Sequence, residues 1–82
     1  MKAFGTDYLG SDGITMAETA SKARYAFFLG AKDAGLDPEI TKIRVWRMPD
    51  FDNGRLSYGG NMKPGKAYCS EYVLRSYQGD PQ

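Results

Sequence analysis

The sequence contains no histidine and a single cysteine, Cys69. One thiol cannot close an internal disulfide, and without imidazole the Cys/His zinc sets cannot be assembled within the chain. Neither a metal nor a cofactor is expected, and a reducing, cytoplasmic location fits best. Long apolar runs are also missing. No window approaches the roughly 18 apolar residues of a membrane span, and the opening MKAFGTDYLG lacks the apolar core of a signal peptide. The expectation is a soluble protein with no membrane partner. Charge of one sign is lacking too: eleven Lys and Arg against ten Asp and Glu leave +1. No global field draws the chain to nucleic acid, although a local basic patch stays open.

What is present is enough to fold. The chain has 82 residues, 41% of them hydrophobic and 13% aromatic, which argues for one ordered domain spanning 1–82. Residues 2–9 read as a strand with Ala3 or Phe4 and Tyr8 as its apolar positions. GSDG at 10–13 reads as a turn, and 14–18 as a second strand completing a hairpin. Residues 19–35 carry the clearest periodicity: Ala23, Phe27, Ala31 and Ala34 form one stripe with Ala26 and Gly30 beside it. Thr19 or Ser21 suits the N-cap and Gly35 the C-cap. A capping-box pattern, Thr15 to Glu18, competes for an earlier start. Residues 40–48 give the strongest strand signal, ended by Pro49. Residues 50–65 are mostly loop, with Asn53-Gly54 the best hairpin turn. Residues 66–77 fit a helix or a strand, and the tail QGDPQ is expected to fray. Together these predict a small α+β domain: an antiparallel sheet of three to four strands with one long helix packed across it.

Chemical motifs are few. Gly60-Asn61-Met62-Lys63-Pro64-Gly65-Lys66 satisfies G-x-x-x-x-G-K, but Ala67 stands where a phosphate loop needs Ser or Thr. Too little chain follows for the helix and crossover strands such a loop requires, so a plain Gly/Pro loop is the better reading. Asp50 and Asp52 are the closest pair of loop carboxylates, expected to bond the backbone of their own turn. No base, nucleophile and acid come together, so no catalytic residue is assigned and the chain does not read as an enzyme. Cys69 reads as a half-buried structural cysteine.

The remaining signal is aromatic and basic. The stretch TKIRVWR, residues 41–47, sets the lone tryptophan among three basic residues. Strand alternation places Ile43, Val45 and Arg47 on one face and Lys42, Arg44 and Trp46 on the other. The conservative reading is a Trp46 that covers an edge of the core, with Arg44 or Arg47 stacked on it. The functional reading is a binding site of Lys42, Arg44, Trp46 and Arg47, joined by Tyr58 from the Gly-rich loop. Trp, Arg and Tyr dominate interface hot spots. Of the six tyrosines, about three are expected in the core, and four lie beyond Asp50.

The segment 19–47, TASKARYAFFLGAKDAGLDPEITKIRVWR, resembles small uncharacterised phage and prophage proteins through Thr19, Lys22-Ala23-Arg24-Tyr25 and Ile43-Arg44-Val45-Trp46-Arg47. The resemblance implies mobile-element origin, a β-α-β unit with further strands, and a place among host-directed binders, of which anti-CRISPR and other anti-defence inhibitors are one class. It brings no active-site residues. The expected function is a non-enzymatic protein-binding module acting on a host protein or ribonucleoprotein complex, as monomer or homodimer. The alternatives are a small nucleic-acid binder on the same basic and aromatic face, and a structural or dimeric phage protein.

Overall fold

In a computed structural model, which describes residues 1–75, Lys2–Tyr8 (β1) and Ser11–Ala17 (β2) pair as an antiparallel hairpin from Lys2 opposite Ala17 to Tyr8 opposite Ser11. The turn is only Leu9-Gly10, both at positive φ, 51° and 86°. That geometry matches the twist of the strands it joins. It differs from the 10–13 turn expected from GSDG, because Ser11, Asp12 and Gly13 enter the ladder instead of bonding locally.

Helix α1, Ala20–Asp33, starts on Thr19, whose hydroxyl accepts from the Lys22 N–H at 3.2 Å. Thr15, the rival start, lies buried in β2. The helix ends through Gly35 at φ 91°. Leu36 N–H donates to the Ala31 carbonyl and Gly35 N–H to that of Lys32, each at 3.0 Å. This is a Schellman closure, which needs the left-handed residue that glycine supplies.

The strand expected over 40–48 is cut to Arg44–Arg47 (β3), because Ile40–Lys42 winds into a 3-10 turn in which Ile43 N–H bonds to the Ile40 carbonyl. The chain then makes another 3-10 turn at Pro49–Phe51, where Pro49 ends the ladder. Asn53-Gly54 is a turn but not a hairpin. It links that 3-10 turn to an isolated bridge between Arg55 and Asn61. The ambiguous 66–77 segment is neither helix nor long strand within the described residues. Ala67–Tyr68 (β4) pairs with β2, Ser70–Tyr72 is a 3-10 turn, and Val73 bridges Leu56. Its last two positions and the QGDPQ tail lie outside the described residues.

The sheet order is β3-β1-β2-β4, all neighbours antiparallel. β2, α1 and β3 therefore form a split β-α-β unit with β1 between its strands. The domain is α+β: among the described residues, one helix lies on a four-stranded antiparallel sheet.

Both faces of the sheet are covered. Residues directly opposite in an antiparallel pair share a face, so Phe4, Thr6, Thr15, Ala17 and Val45 lie on the α1 side, where Phe4, Ala17 and Ala23 pack with Val45. Ala3, Ile14 and Met16 lie on the other side, under Phe51, Leu56, Met62 and Val73 from the irregular chain after β3. This two-sided burial explains why β1 lacks clean alternation: Ala3, Phe4, Gly5 and Thr6 are all buried.

Candidate recognition surface

Trp46 is held by an absence. Gly5 is its direct partner on β1, and a Cβ built on Gly5 would overlap the indole ring. The ring thus lies on bare backbone, on the side of the sheet away from α1, and remains 40% exposed. Two residues earlier, Arg44 shares this face, is exposed, and stands opposite Asp7 in register. Beside Trp46 a shallow cleft of about 240 Å³ runs along Arg47, Met48, Pro49, Asp50 and Phe51 to Arg75. The Arg75 guanidinium lies over the Phe51 ring at 5.8 Å and reaches the Asp50 carboxylate at 3.8 Å.

The five residues singled out from the sequence do not form one site. Arg44 and Trp46 share a face. Arg47 projects to the other side, as alternation predicted, where its guanidinium sits 5.7 Å from the Phe4 ring centre. There it grips Asp52 through two bonds of 2.7 Å and donates to the Ala3 carbonyl. Asp52 also accepts from the Ala3 N–H at 2.8 Å. It therefore ties the 49–52 turn to β1 instead of bonding within its own turn. The Arg47 guanidinium, more than the Ala3 N–H, holds the Asp52 carboxyl below the usual carboxylate range, against some desolvation. The stacking of arginine on Trp46 expected above is absent among the described residues; Arg47 stacks on Phe4 instead. Lys42 leaves the strand face altogether. It belongs to the 3-10 turn and lies 3.8 Å from Glu39.

Tyr58 lies in the loop between the Leu56 and Asn61 bridges, 67% exposed, edge-on to Tyr72 at 5.9 Å. Five of the six tyrosines lie among the described residues. Tyr68 packs half-buried against the loop-side cluster and Tyr8 is half-buried, whereas Tyr25, Tyr58 and Tyr72 are exposed. Cys69 is exposed, which corrects its reading as half-buried: β4 ends just before it. The G-x-x-x-x-G-K stretch is a loop. Pro64 bridges Met16, Gly65 N–H bonds to the Met16 carbonyl, and a strand follows instead of a helix.

Asp50, Phe51 and Arg75 join the Trp46 neighbourhood only through the fold. Pro49 was the sole local signal that the chain would turn back beside the indole. Among the described residues no group of three or more His, Cys, Asp or Glu could hold a metal ion, and no helix is long and apolar enough to cross a membrane. Comparison with protein families, curated proteins and solved structures found no match to this chain.

Proposed function

We propose that this is a non-enzymatic protein-binding module of phage origin that inhibits or modulates a host complex, a CRISPR-type defence complex being one class of target. The observation that supports it is Trp46: a large aromatic set on the rigid backbone of Gly5, exposed at a sheet edge with Arg44 beside it. An aromatic already held in place loses little conformational freedom on binding, and Trp and Arg supply most hot-spot energy. Asp7 and Asp50 flank the patch, which disfavours a phosphate backbone and favours a protein partner of mixed charge. The phage origin and the class of target rest on the resemblance over 19–47.

The test is capture of a partner from host lysate by the wild type, Trp46→Ala and Arg44→Ala, with circular dichroism to verify the fold. Trp46→Ala should weaken binding by tenfold or more, on the order of a hot-spot loss, and Arg44→Ala by less. Unchanged capture and inhibition by both folded variants would sink the reading. Affinity for single-stranded nucleic acid that falls steeply with salt would instead favour the nucleic-acid alternative.

A further inference from the structure

The outer edge of β3 carries a defined set of unused backbone groups. Phe4 faces Arg47, which sets Ala3 against Met48, and Met48 N–H donates to the Ala3 carbonyl at 3.0 Å. Opposite residues in an antiparallel ladder alternate between pairs that exchange bonds and pairs that do not. Trp46 and Arg44 therefore bond inward to Gly5 and Asp7, while Ile43, Val45 and Arg47 turn their N–H and C=O away from β1. Two contacts agree with that parity. Ile43 N–H closes the 3-10 turn on Ile40, and the Ile43 carbonyl accepts from Arg24 Nε at 3.1 Å. The outward N–H and C=O of Val45 and Arg47 have no partner among the described residues. Pro49 offers no N–H, so the run is closed at both ends. The opposite edge is blunted, since β4 has only two residues and Pro64 lies just ahead of it.

We infer that a second copy of the chain closes this edge, the two β3 strands antiparallel about a two-fold axis at Trp46, so that two four-stranded sheets become one. A two-fold contact must be complementary to itself, and the backbone meets that requirement in one register. Centred on Trp46, Val45 of each copy faces Arg47 of the other and exchanges two bonds with it, which uses every free group on both edges. Centred on Val45, the pairing would set Arg47 against Ile43, whose N–H and C=O are already engaged. Centred on Arg47, it would set Val45 against Pro49, which cannot donate. The side chains agree with the first register. Opposite residues share a face, so Trp46 meets Trp46 of the other copy in a pair without mutual bonds, about 4.5 Å between Cα atoms. Arg44 meets Met48, which with Asp50 lines the cleft beside Trp46. Each Arg44 is thus brought to the Asp50 cleft of the other copy. Arg44 has no ion-pair partner within 4.0 Å among the described residues, and Asp50 is held only by Arg75 at 3.8 Å.

So short a strand pair buries less than the roughly 800 Å² per partner of a standard interface, which places association in the micromolar to millimolar range. The test needs no host protein, so it stands or falls apart from the proposed function. Sedimentation equilibrium from about 10 µM to about 1 mM should show the average mass rising toward twice the monomer. Over the same range the amides of Val45 and Arg47 should pass from fast to at least tenfold slower hydrogen exchange. The Trp46 amide, already bonded to Gly5, should be protected throughout. Val45→Pro removes an outward N–H and leaves the bonds to β1 in place, a change that edge strands tolerate. It should weaken association at least tenfold with the circular dichroism of the wild type. Arg44→Asp and Asp50→Arg should each weaken the dimer severalfold, and the double variant should restore it to near the wild-type constant. A wild type that stays monomeric up to about 1 mM would overturn the inference and leave the edge to a strand from a different protein. Val45 and Arg47 amides whose exchange ignores concentration, or a charge swap that fails to rescue, would overturn it as well.

Discussion

The two faces of the sheet are closed by different kinds of cover. On one side lies α1, a capped helix of 14 residues, and among its side chains only Ala23 is fully buried. On the other side lies the chain from Pro49 to Val73, built of 3-10 turns, single bridges and one two-residue strand. It delivers Phe51, Leu56, Met62 and Val73 onto Ala3, Ile14 and Met16. The less regular cover buries the larger side chains. Regularity and core contribution are separate properties: hydrophobic stabilisation follows the apolar area removed from water, whatever the backbone above it does.

That contrast is testable by truncation. Phe51→Ala should destabilise the fold by about 3–5 kcal/mol, the cost of emptying a buried aromatic site. Val45→Ala on the helix side should cost about 1 kcal/mol, because the side chain is half-buried and each buried methylene contributes about 0.8 kcal/mol. Urea denaturation of both variants checks the order, and equal losses would break the comparison.

An effect smaller than that of Phe51→Ala is expected where the sheet meets Trp46. Gly5→Ala forces the indole off its seat and should cost about 1–3 kcal/mol, as overpacking does, with a change in the emission of the lone tryptophan. In a Trp46→Ala background the same substitution should cost much less, because the overlapping ring is gone. Additive losses in that double-mutant cycle would show that the ring does not rest on Gly5.

The smallest effect concerns Asp52, which pins the irregular cover to β1. Its carboxyl is held below the ordinary range in the folded state by Arg47 and the Ala3 N–H. The unfolded chain therefore takes up the proton first as pH falls. The stabilisation is fully present above an unfolded value of about 4, and it is lost as pH drops through the lower folded value. Asp52→Asn should lower the thermal midpoint modestly at neutral pH and flatten the acid limb of stability between about pH 4 and the folded value. An acid limb identical to the wild type would remove Asp52 from the account. The pair is about a third exposed, so solvent screening keeps the effect below the other three.

Local signals made the hairpin, α1 and its two caps legible, because each is decided within a few residues. Thr19 satisfies an N–H three positions on, and Gly35 takes a φ that other residues resist. The alternation that separated Trp46 and Arg44 from Arg47 was legible for the same reason, since the pleat fixes it. Lys42 was misplaced because Ile40–Lys42 reads as strand by composition yet closes a 3-10 turn before the sheet begins. Tyr58 was grouped with Trp46 on residue type alone, and the fold sets it beside Tyr72.

By itself, then, the sequence determined the α+β class, the helix with its stop at Gly35, and which residues of RVWR share a side, since these follow from backbone geometry and spacing. Tertiary structure alone decided that both faces of the sheet are buried. It also decided that Trp46 rests on Gly5, and that Asp50, Phe51 and Arg75 gather beside it. Those outcomes depend on contacts between residues far apart in the chain, and no local periodicity encodes them.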